Sequence, residues 1–241
     1  MSIYEKEYIV ENFLCKNGEL PLNHIINYFV ETSNCQSISL GEDSSKLISK
    51  GYTWMIYKWF IKILKYPKAY QKIKVRTWAS SFKGINAFRE FEMYAEGEKI
   101  VSASSIFLLI DLKKLKPIKI PREVSEIYST YYVKNFDKIE RINEPKDIEA
   151  INNFDYNILK ADIDINNHVN NSVYAKLLYE ALPKSLYNIK FTDVNINYVK
   201  ELKYGDRVFI YVYLEDDKLY FFFKNKEKSE IYARVCCHYI S

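Results

Sequence analysis

The stretches "LPLNHIINYFVETSN" (residues 20–34) and "ADIDINNHVNNSVYAKLLYEALP" (residues 161–183) each place Asn-His ahead of apolar residues at helical spacing. In the first stretch the apolar positions recur every three or four residues, which predicts a helix from about Pro21 to Ser39, ending near Gly41. In the second stretch the apolar stripe stops at Pro183, because proline cannot continue a helix. The chain therefore contains the same helix start twice.

Strand-like segments follow each predicted helix, with the β-branched and aromatic residues that sheets favour. The first set is "TWMIYKWFIKILKY" (53–66), "KIKVRTW" (72–78), "NAFREFEMY" (86–94) and "KIVSASSIFLLID" (99–111). The second set is "KFTDVNINYVKEL" (190–202), "RVFIYVYLE" (207–215), "KLYFFFKN" (218–225) and "EIYARVCCHYI" (230–240). The sequence predicts an α+β chain in which a curved antiparallel sheet wraps around one helix, twice over.

The two halves can be aligned residue by residue. Asn23-His24 corresponds to Asn167-His168, and Leu64-Lys65-Tyr66 corresponds to Leu202-Lys203-Tyr204. The sequence separation between the matched residues is nearly the same for both pairs, and the difference is the size of a loop insertion. We therefore predict an N-terminal domain over residues 1–121 and a C-terminal domain over residues 146–241. The charged, aperiodic residues 122–145 are predicted to be a surface connector between them.

The composition is that of a globular protein, with 48% hydrophobic and 27% charged residues. A net charge of +4, with acids and bases interleaved, is well short of a nucleic-acid-binding footprint. No apolar run reaches the length of a membrane helix and the N-terminus does not resemble a secretory signal, so we expect a cytoplasmic protein. The four cysteines fit no metal-ligand spacing and are expected to be reduced thiols; they are Cys15, Cys35, Cys236 and Cys237.

An acid, amide and imidazole cluster precedes the second helix. Its members alternate along the chain, so that in an extended segment they would point to one side; they are Asp162, Asp164, Asn166 and His168. Asn170 or Asn171 could cap the helix, whose positive end and backbone N–H groups are the usual components of an oxyanion hole. The cluster therefore suits hydrolysis of an acyl group, in which water is activated and an oxyanion is stabilised.

Two metal-binding alternatives fail on the residues themselves. The D-x-D-x-N spacing opens a calcium loop, but Asn167 stands where glycine is required and Val173 where a bidentate glutamate is required. Three histidines and no suitable cysteine spacing do not make a zinc site.

Five phrases in register resemble the acyl-acyl-carrier-protein thioesterases of plants and bacteria. They are "GYTWMIYKWFIKILKYP" (51–67), "VRTWASSFKGINAFREFEMY" (75–94), "SASSIFLLIDLKKLKPIKIP" (102–121), "DIDINNHVNNSVY" (162–174) and "INYVKEL" (196–202). The resemblance implies two tandem hotdog domains and hydrolysis of fatty acyl-acyl carrier protein to free fatty acid and carrier protein. It implies no cofactor and no metal.

By this resemblance, Asp164, Asn166 and His168 occupy catalytic positions, and Glu201 occupies the position of a further catalytic acid. We predict that His168 and Glu201 form an acid–base pair, while Asn166 and a backbone N–H polarise the thioester carbonyl. Asp164 either orients this network or assists attack directly, and both roles stay open. Asp162 is predicted to be a turn or capping residue.

A cysteine common in the plant enzymes is replaced by Leu202, which argues against a cysteine nucleophile. The first copy lacks the acids too, because Leu20, Leu22 and Ile63 stand where the second copy has Asp164, Asn166 and Glu201. The N-terminal domain is therefore expected to be non-catalytic, and the resemblance implies that it forms most of the acyl-chain pocket. Candidate lining residues, for which core packing is the alternative, are Phe29, Trp54, Trp59 and Phe107.

The expected partner is an acidic acyl carrier protein, with Lys176, Lys184 and Lys203 as candidates for docking. A homodimer is left open, as is the preferred acyl chain length. Two other functions compete with this one: an acyl-CoA thioesterase of the same fold, and a non-catalytic hotdog that binds acyl chains or acts as a scaffold.

Overall fold

The computed structural model describes residues 2–164 and 168–240. The chain divides into two compact units, Met1–Ile139 and Glu140–Ser241. Asn166 is one of the predicted site residues and lies outside the described residues.

The N-terminal unit contains one long helix and a mainly antiparallel sheet. Its elements are β1 (Ile3–Ile9), α1 (Leu22–Ser39), α2 (Ser44–Ser49), β2 (Tyr52–Ile63), β3 (Lys72–Lys83), β4 (Asn86–Ala95), β5 (Glu98–Asp111), β6 (Lys116–Ile118) and α3 (Arg122–Ser125). Antiparallel pairing gives the strand order β1–β3–β4–β5–β2, with β6 also paired to β5.

Helix α1 packs its apolar face onto this sheet, as the spacing of its apolar residues predicts. Phe29 is fully buried, with its ring centroid 5.1 Å from that of Phe91 on β4 and 6.2 Å from that of Trp59 on β2. Burying a side chain of this size stabilises the fold by roughly 1.5–3 kcal/mol. The predicted helix boundaries are confirmed: Pro21 is the N-cap, and Gly41 follows the C-cap with a φ of +75°, which glycine adopts without strain.

The C-terminal unit repeats this plan. Its elements are β7 (Asn152–Asn157), α4 (Asn171–Glu180), β8 (Lys190–Tyr198), β9 (Arg207–Glu215), β10 (Lys218–Lys224) and β11 (Ile231–Ile240). Antiparallel pairing gives the order β7–β9–β10–β11–β8. Helix α4 packs against β8 through Tyr179 and Phe191, whose ring centroids are 5.0 Å apart.

The two strand orders are identical when β1 to β5 are matched with β7 to β11 in sequence order. Each unit is thus a strand, a central helix and four further strands, which is the hotdog plan, and the predicted duplication is confirmed at the level of topology. The strand that precedes each helix was not among the predicted elements. Both are edge strands with alternately exposed residues, so neither carries a continuous apolar signal.

The predicted connector contains α3 and then a long segment without helix or strand. Its first part is bound to the N-terminal unit: the Trp78 indole donates to the carbonyl of Val133 (2.8 Å), and the Asn135 amide donates to the carbonyls of Phe91 and Ala103. Its last part is bound to the C-terminal unit by the ion pair of Lys224 with Glu144 (2.6 Å). The connector is therefore held along its length by specific polar contacts.

Candidate active site

The sequence-predicted cluster begins with Asp162, and its side chain is structural. Asp162 is only 5% exposed and closes a short 3-10 turn, Lys160–Asp162. Its Oδ2 atom accepts hydrogen bonds from the Tyr156 hydroxyl (2.9 Å) and the Leu159 backbone N–H (2.9 Å). The predicted turn or capping role of Asp162 matches these contacts.

Asp164 and His168 lie on the two sides of a chain reversal. Ile163 pairs antiparallel with Val169, and the Asp164 N–H donates to the carbonyl of His168 (2.8 Å). In return, the His168 N–H donates to Oδ1 of Asp164 (3.2 Å). The prediction that Asp162, Asp164 and His168 project from one extended segment is therefore wrong, because main-chain hydrogen bonds fold this segment back on itself.

Helix α4 begins directly after this reversal. Of the two predicted caps, Asn170 and Asn171, Asn170 is the N-cap, and its Oδ1 accepts the Ser172 N–H and hydroxyl, each at 2.9 Å. The Asn170 carbonyl accepts the Val173 N–H, and the Asn170 N–H donates to the carbonyl of Asp162. The cap does not engage the N–H of Asn171, the first residue of the helix. Both Asp164 and His168 stand near the end where the helix dipole favours negative charge.

Glu201 reaches this site from the loop that follows β8. Its Oε2 atom lies 3.4 Å from Nε2 of His168, and the two side chains are 40% and 39% exposed. The Val169 N–H donates to the carbonyl of Leu202 at 3.4 Å, and Leu202 is fully buried. The structure thus brings together Asp164, His168 and Glu201 at a partly exposed position.

One residue near this pair was not singled out in the sequence. Tyr174, on α4, is buried, and its ring centroid lies 5.1 Å from that of Tyr198 on β8 and 5.4 Å from that of Phe223 on β10. Tyr174 precedes Leu177 and Leu178 at helical spacing, so it reads as one more member of the buried stripe. A tyrosine in such a stripe is a signal in itself, since a buried hydroxyl requires a partner.

The N-terminal copy does not form an equivalent cluster. Leu20 and Leu22 are fully buried and Ile63 is nearly so, so the three positions that correspond to the acids and the amide serve as core. His24 is half-buried, and its Nδ1 atom lies 3.5 Å from the amide nitrogen of Asn27. Burial lowers the pKa of His24, which favours the neutral ring.

The four candidate pocket residues fall into two groups in the N-terminal unit. Phe29 and Trp59 are fully buried and pack with Phe91 in a three-ring cluster. Trp54 and Phe107 are partly buried and pack on a cluster that includes Leu109. Core packing accounts for the first group, whereas the second keeps exposed surface.

The candidate docking lysines are all exposed: Lys176 on α4, Lys184 after it, and Lys203 beside Glu201. Lys160 adds a further positive charge, with its Nζ atom 5.6 Å from the ring centroid of Tyr204. The positive charges lie on the segments that lead into and out of the site.

All four cysteines are free in the structure. Burial raises the pKa of Cys15, Cys236 and Cys237, which disfavours the thiolate at each of them. No helix among residues 2–164 and 168–240 is both long and apolar enough to cross a membrane.

Fold and site together define a tandem hotdog protein with a histidine–carboxylate pair in one of its two units. The family model of the acyl-ACP thioesterase N-terminal domain matches residues 2–128, and that of the C-terminal domain matches residues 145–238. The chain therefore belongs to the acyl-ACP thioesterase family.

Individual relatives agree with this assignment. The chain is 25% identical over 193 residues to the chloroplastic acyl-[acyl-carrier-protein] hydrolase FATB3 of Cuphea viscosissima, covering 74% of this chain and 47% of the relative. It thus spans about half the length of that relative. Among solved structures, an acyl-ACP thioesterase from Bacteroides thetaiotaomicron superposes with a TM-score of 0.87 at 22% identity, covering 99% of this chain and 98% of the other. The 12:0-ACP thioesterase from Umbellularia californica does so with a TM-score of 0.87 at 15% identity, covering 100% and 98%. At these identities the structures establish the hotdog fold alone.

Proposed function

We propose that this protein hydrolyses the thioester of fatty acyl-acyl carrier protein, releasing free fatty acid and carrier protein. Family membership supports the reaction class, and the 3.4 Å approach of His168 Nε2 to Glu201 Oε2 at the start of α4 is the observation that carries the proposal. The same pair is missing from the N-terminal copy, so the N-terminal unit is proposed to be non-catalytic.

His168 and Glu201 act as the acid–base pair. Glu201 accepts a hydrogen bond from Nε2–H of the neutral imidazole, which leaves Nδ1 to take a proton from water and gives an imidazolium. The water oxygen forms a bond to the thioester carbon, the carbon–sulfur bond breaks, and the imidazolium returns a proton to the departing thiolate. Proton transfer of this kind contributes typically about 10²–10⁴-fold to a rate.

The tetrahedral intermediate carries a negative charge on the former carbonyl oxygen. The proposed donors to it are Asn166 and a backbone N–H at the start of α4, for which Asn171 is the candidate because the Asn170 cap engages the next two N–H groups. A helix N-terminus is suited to this charge, and a single donor of this type is worth roughly 10²–10³-fold in turnover.

Asp164 has two candidate roles. Its contact with the His168 N–H supports an orienting role, in which its carboxylate fixes the histidine main chain. The alternative is direct attack on the thioester, which would form an anhydride. A single turnover in H₂¹⁸O tests this: direct water attack puts ¹⁸O into the fatty acid, whereas water attack on the Asp164 carboxyl carbon of an anhydride leaves the label on the enzyme.

No cysteine acts as nucleophile in this proposal. Leu202 takes the position next to the catalytic acid, and burial raises the pKa of three of the four thiols. Water attack at the thioester carbon or the carboxylate-assisted route through Asp164 accounts for hydrolysis without one.

The N-terminal unit is proposed to hold the acyl chain. Trp54 and Phe107 keep partly exposed apolar surface and are the better candidates for contact with it. Phe29 and Trp59 are proposed to shape the pocket from within the core. Replacing Trp54 with Ala should therefore change the relative kcat/KM for long and short acyl chains, while replacing Trp59 should chiefly destabilise the fold.

The proposed macromolecular partner is the acyl carrier protein, docked through Lys176, Lys184 and Lys203. Their replacement with Ala should raise KM for the acyl-carrier-protein substrate without changing kcat, because exposed charges act mainly on encounter. The same variants should hydrolyse a small acyl thioester at the wild-type rate.

The decisive assay presents one acyl chain on two carriers. Hydrolysis of acyl-carrier protein with a much higher kcat/KM than the matching acyl-CoA supports the proposal, and the reverse preference supports the acyl-CoA alternative. If the wild-type protein bound the acyl chain but hydrolysed neither substrate, the non-catalytic alternative would replace both.

A further inference from the structure

A lysine, a cysteine and a glutamate meet between β1 and α1 of the N-terminal unit. The Nζ atom of Lys6, on β1, donates to the Sγ atom of Cys35, on α1, at 3.1 Å. That Sγ atom donates to Oε1 of Glu31 at 3.3 Å, and Lys6 Nζ lies 3.4 Å from the same oxygen. An amine, a thiol and a carboxylate are thus in mutual contact; we call them the Lys6–Cys35–Glu31 cluster.

The periodicities of the two elements bring these side chains together. Lys6 and Tyr8 share one face of β1, and Glu31 and Cys35 share one face of α1. Beside the cluster, the Tyr8 hydroxyl lies 2.9 Å from Oγ1 of Thr32, a fully buried residue. Lys6 Nζ lies 4.9 Å from the ring centroid of Tyr8. The contact of Lys6 with Cys35 is therefore one of several that join β1 to α1.

A small oxidant can reach the cluster. Cys35 is partly exposed, and the side chains of Lys6 and Glu31 are 35% and 54% exposed. Peroxide reacts with a cysteine as its thiolate, the form that a neighbouring lysine ammonium favours. The hydrogen bond to Cys35 raises the pKa of Lys6 well above its ordinary 10.5, so the lysine keeps its positive charge beside the reduced sulfur.

We propose that Cys35 and Lys6 form a redox modification site, at which hydrogen peroxide leads to a covalent bond between Cys35 Sγ and Lys6 Nζ. In the first step peroxide transfers one oxygen atom to the thiol, which is oxidised to a sulfenic acid while the peroxide is reduced to water. A sulfenic acid condenses with a nearby nitrogen to a sulfenamide, and the nitrogen that lies nearby here is Nζ of Lys6.

The second step needs no further oxidant. The Lys6 ammonium passes one proton to Glu31, and the electron pair of the amine attacks the sulfur. The sulfur–oxygen bond breaks, and the hydroxyl group leaves as water with a second proton from the amine. The complete reaction consumes one peroxide, releases two water molecules and removes one hydrogen atom each from the neutral thiol and the neutral amine.

The bond would fasten an edge strand to the central helix of its unit. Lys6 and Cys35 are 29 positions apart, and closing a loop of this size covalently restricts the unfolded chain. We expect the Tm of the cross-linked protein to rise by about 5–10 °C and to return to its starting value when a thiol reductant opens the bond. The inference does not depend on the proposed hydrolysis, to which neither Lys6 nor Cys35 contributes a group.

The test is peptide mapping of the folded chain by mass spectrometry, after treatment with hydrogen peroxide and without reductant. We expect a joined pair of peptides, one with Lys6 and one with Cys35, whose summed mass is lower by two hydrogen atoms. Dithiothreitol should separate them. Cys15 is the internal control, because its Sγ donates to the carbonyl of Glu11 (3.6 Å), and it should take up oxygen without joining a lysine.

Lys6→Arg is the matched variant. It keeps a positive charge beside Cys35 and Glu31, but a guanidinium is not deprotonated in proteins and cannot form the bond. Peroxide should oxidise Cys35 in this variant without joined peptides and without a rise in Tm.

Four results would each overturn the inference. The first is oxidised, folded wild-type protein without the joined peptides, and the second is an equal yield of them from protein unfolded in guanidinium chloride. The third is a joined pair that retains the peroxide oxygen, which would exclude a direct sulfur–nitrogen bond. The fourth is an unchanged or lower Tm of the cross-linked protein.

Discussion

Substitutions of Asp162 and Asp164 should have different effects: changes at Asp162 should lower the stability of the protein, and changes at Asp164 should lower its turnover. Asp162→Ala removes two hydrogen bonds to a 5% exposed carboxylate, one from Tyr156 and one from the Leu159 N–H. Hydrogen bonds to a charged group are worth about 1.5 kcal/mol or more each, so we expect the free energy of unfolding of the C-terminal unit to fall by about 3 kcal/mol. For a chain of this size that corresponds to a Tm decrease of roughly 6–12 °C.

Asp162→Asn keeps the shape and an acceptor oxygen, so its loss should be smaller, about 1 kcal/mol. Below their transitions both variants should hydrolyse acyl-carrier protein within about fivefold of the wild-type rate, because the carboxylate bonds to Tyr156 and to the Leu159 main chain, and neither group belongs to the proposed catalytic pair. Urea unfolding followed by circular dichroism, together with thiol release from acyl-carrier protein, measures both quantities on the same samples.

Asp164→Asn is the matched comparison. Asp164 is half-buried and accepts the His168 N–H at 3.2 Å, so the free energy of unfolding should fall by no more than about 1 kcal/mol, while kcat falls about 100-fold. The reasoning is refuted if Asp162→Ala reduces kcat as strongly as Asp164→Asn and leaves unfolding unchanged. It is also refuted if Tyr156→Phe and Asp162→Ala prove additive, since residues that share a hydrogen bond should be coupled.

Three further predictions concern the scaffold and the thiols. Glu144→Gln should lower the free energy of unfolding by about 2 kcal/mol in urea titrations, because Lys224 is 6% exposed and would lose its counter-ion. Replacing both Glu144 and Lys224 with apolar residues should restore much of that loss. Burial raises the pKa of Glu90 above its ordinary 4.5, so the native state binds its proton more readily than the unfolded state does, and this residue's contribution to stability falls as the pH rises above 4.5. The free energy of unfolding of Glu90→Gln relative to wild type should therefore increase between about pH 4.5 and pH 7 in urea titrations, and a constant difference would contradict the sign. A variant in which all four cysteines are replaced with Ala should keep kcat on acyl-carrier protein within about threefold of wild type. Loss of turnover in that variant would indicate a cysteine nucleophile. The four positions are Cys15, Cys35, Cys236 and Cys237.

The helices and the duplication could be predicted from the sequence because each depends on local periodicity. The apolar spacing of α1, with Pro21 before it and Gly41 after it, predicts its bounds, and Asn170 is one of the two predicted caps of α4. Strands β1 and β7 escaped prediction because each is short, lies at a sheet edge and alternates exposed with partly buried residues. Their pairing partners, β3 and β9, are distant in sequence.

The site was predictable in composition and not in geometry. The family resemblance implied that Glu201 belongs to the site, and its Oε2 atom lies 3.4 Å from Nε2 of His168. The alternation of Asp162, Asp164 and His168 was misleading, because an alternating pattern aligns side chains only in a strand, and main-chain hydrogen bonds make this segment reverse. The packing of Tyr174 against Tyr198 and Phe223 joins residues on separate elements, so only the fold could reveal it.

The most direct test of the central claim compares the two Asn-His phrases in one assay. His168→Ala and His24→Ala are measured beside the wild type for thiol release from acyl-carrier protein, with thermal unfolding as the check on folding. The account predicts that kcat falls about 10²–10⁴-fold in His168→Ala and stays within about twofold in His24→Ala. Folded His168→Ala protein with wild-type turnover, or an equal loss in both variants, would contradict the assignment of hydrolysis to the His168–Glu201 pair.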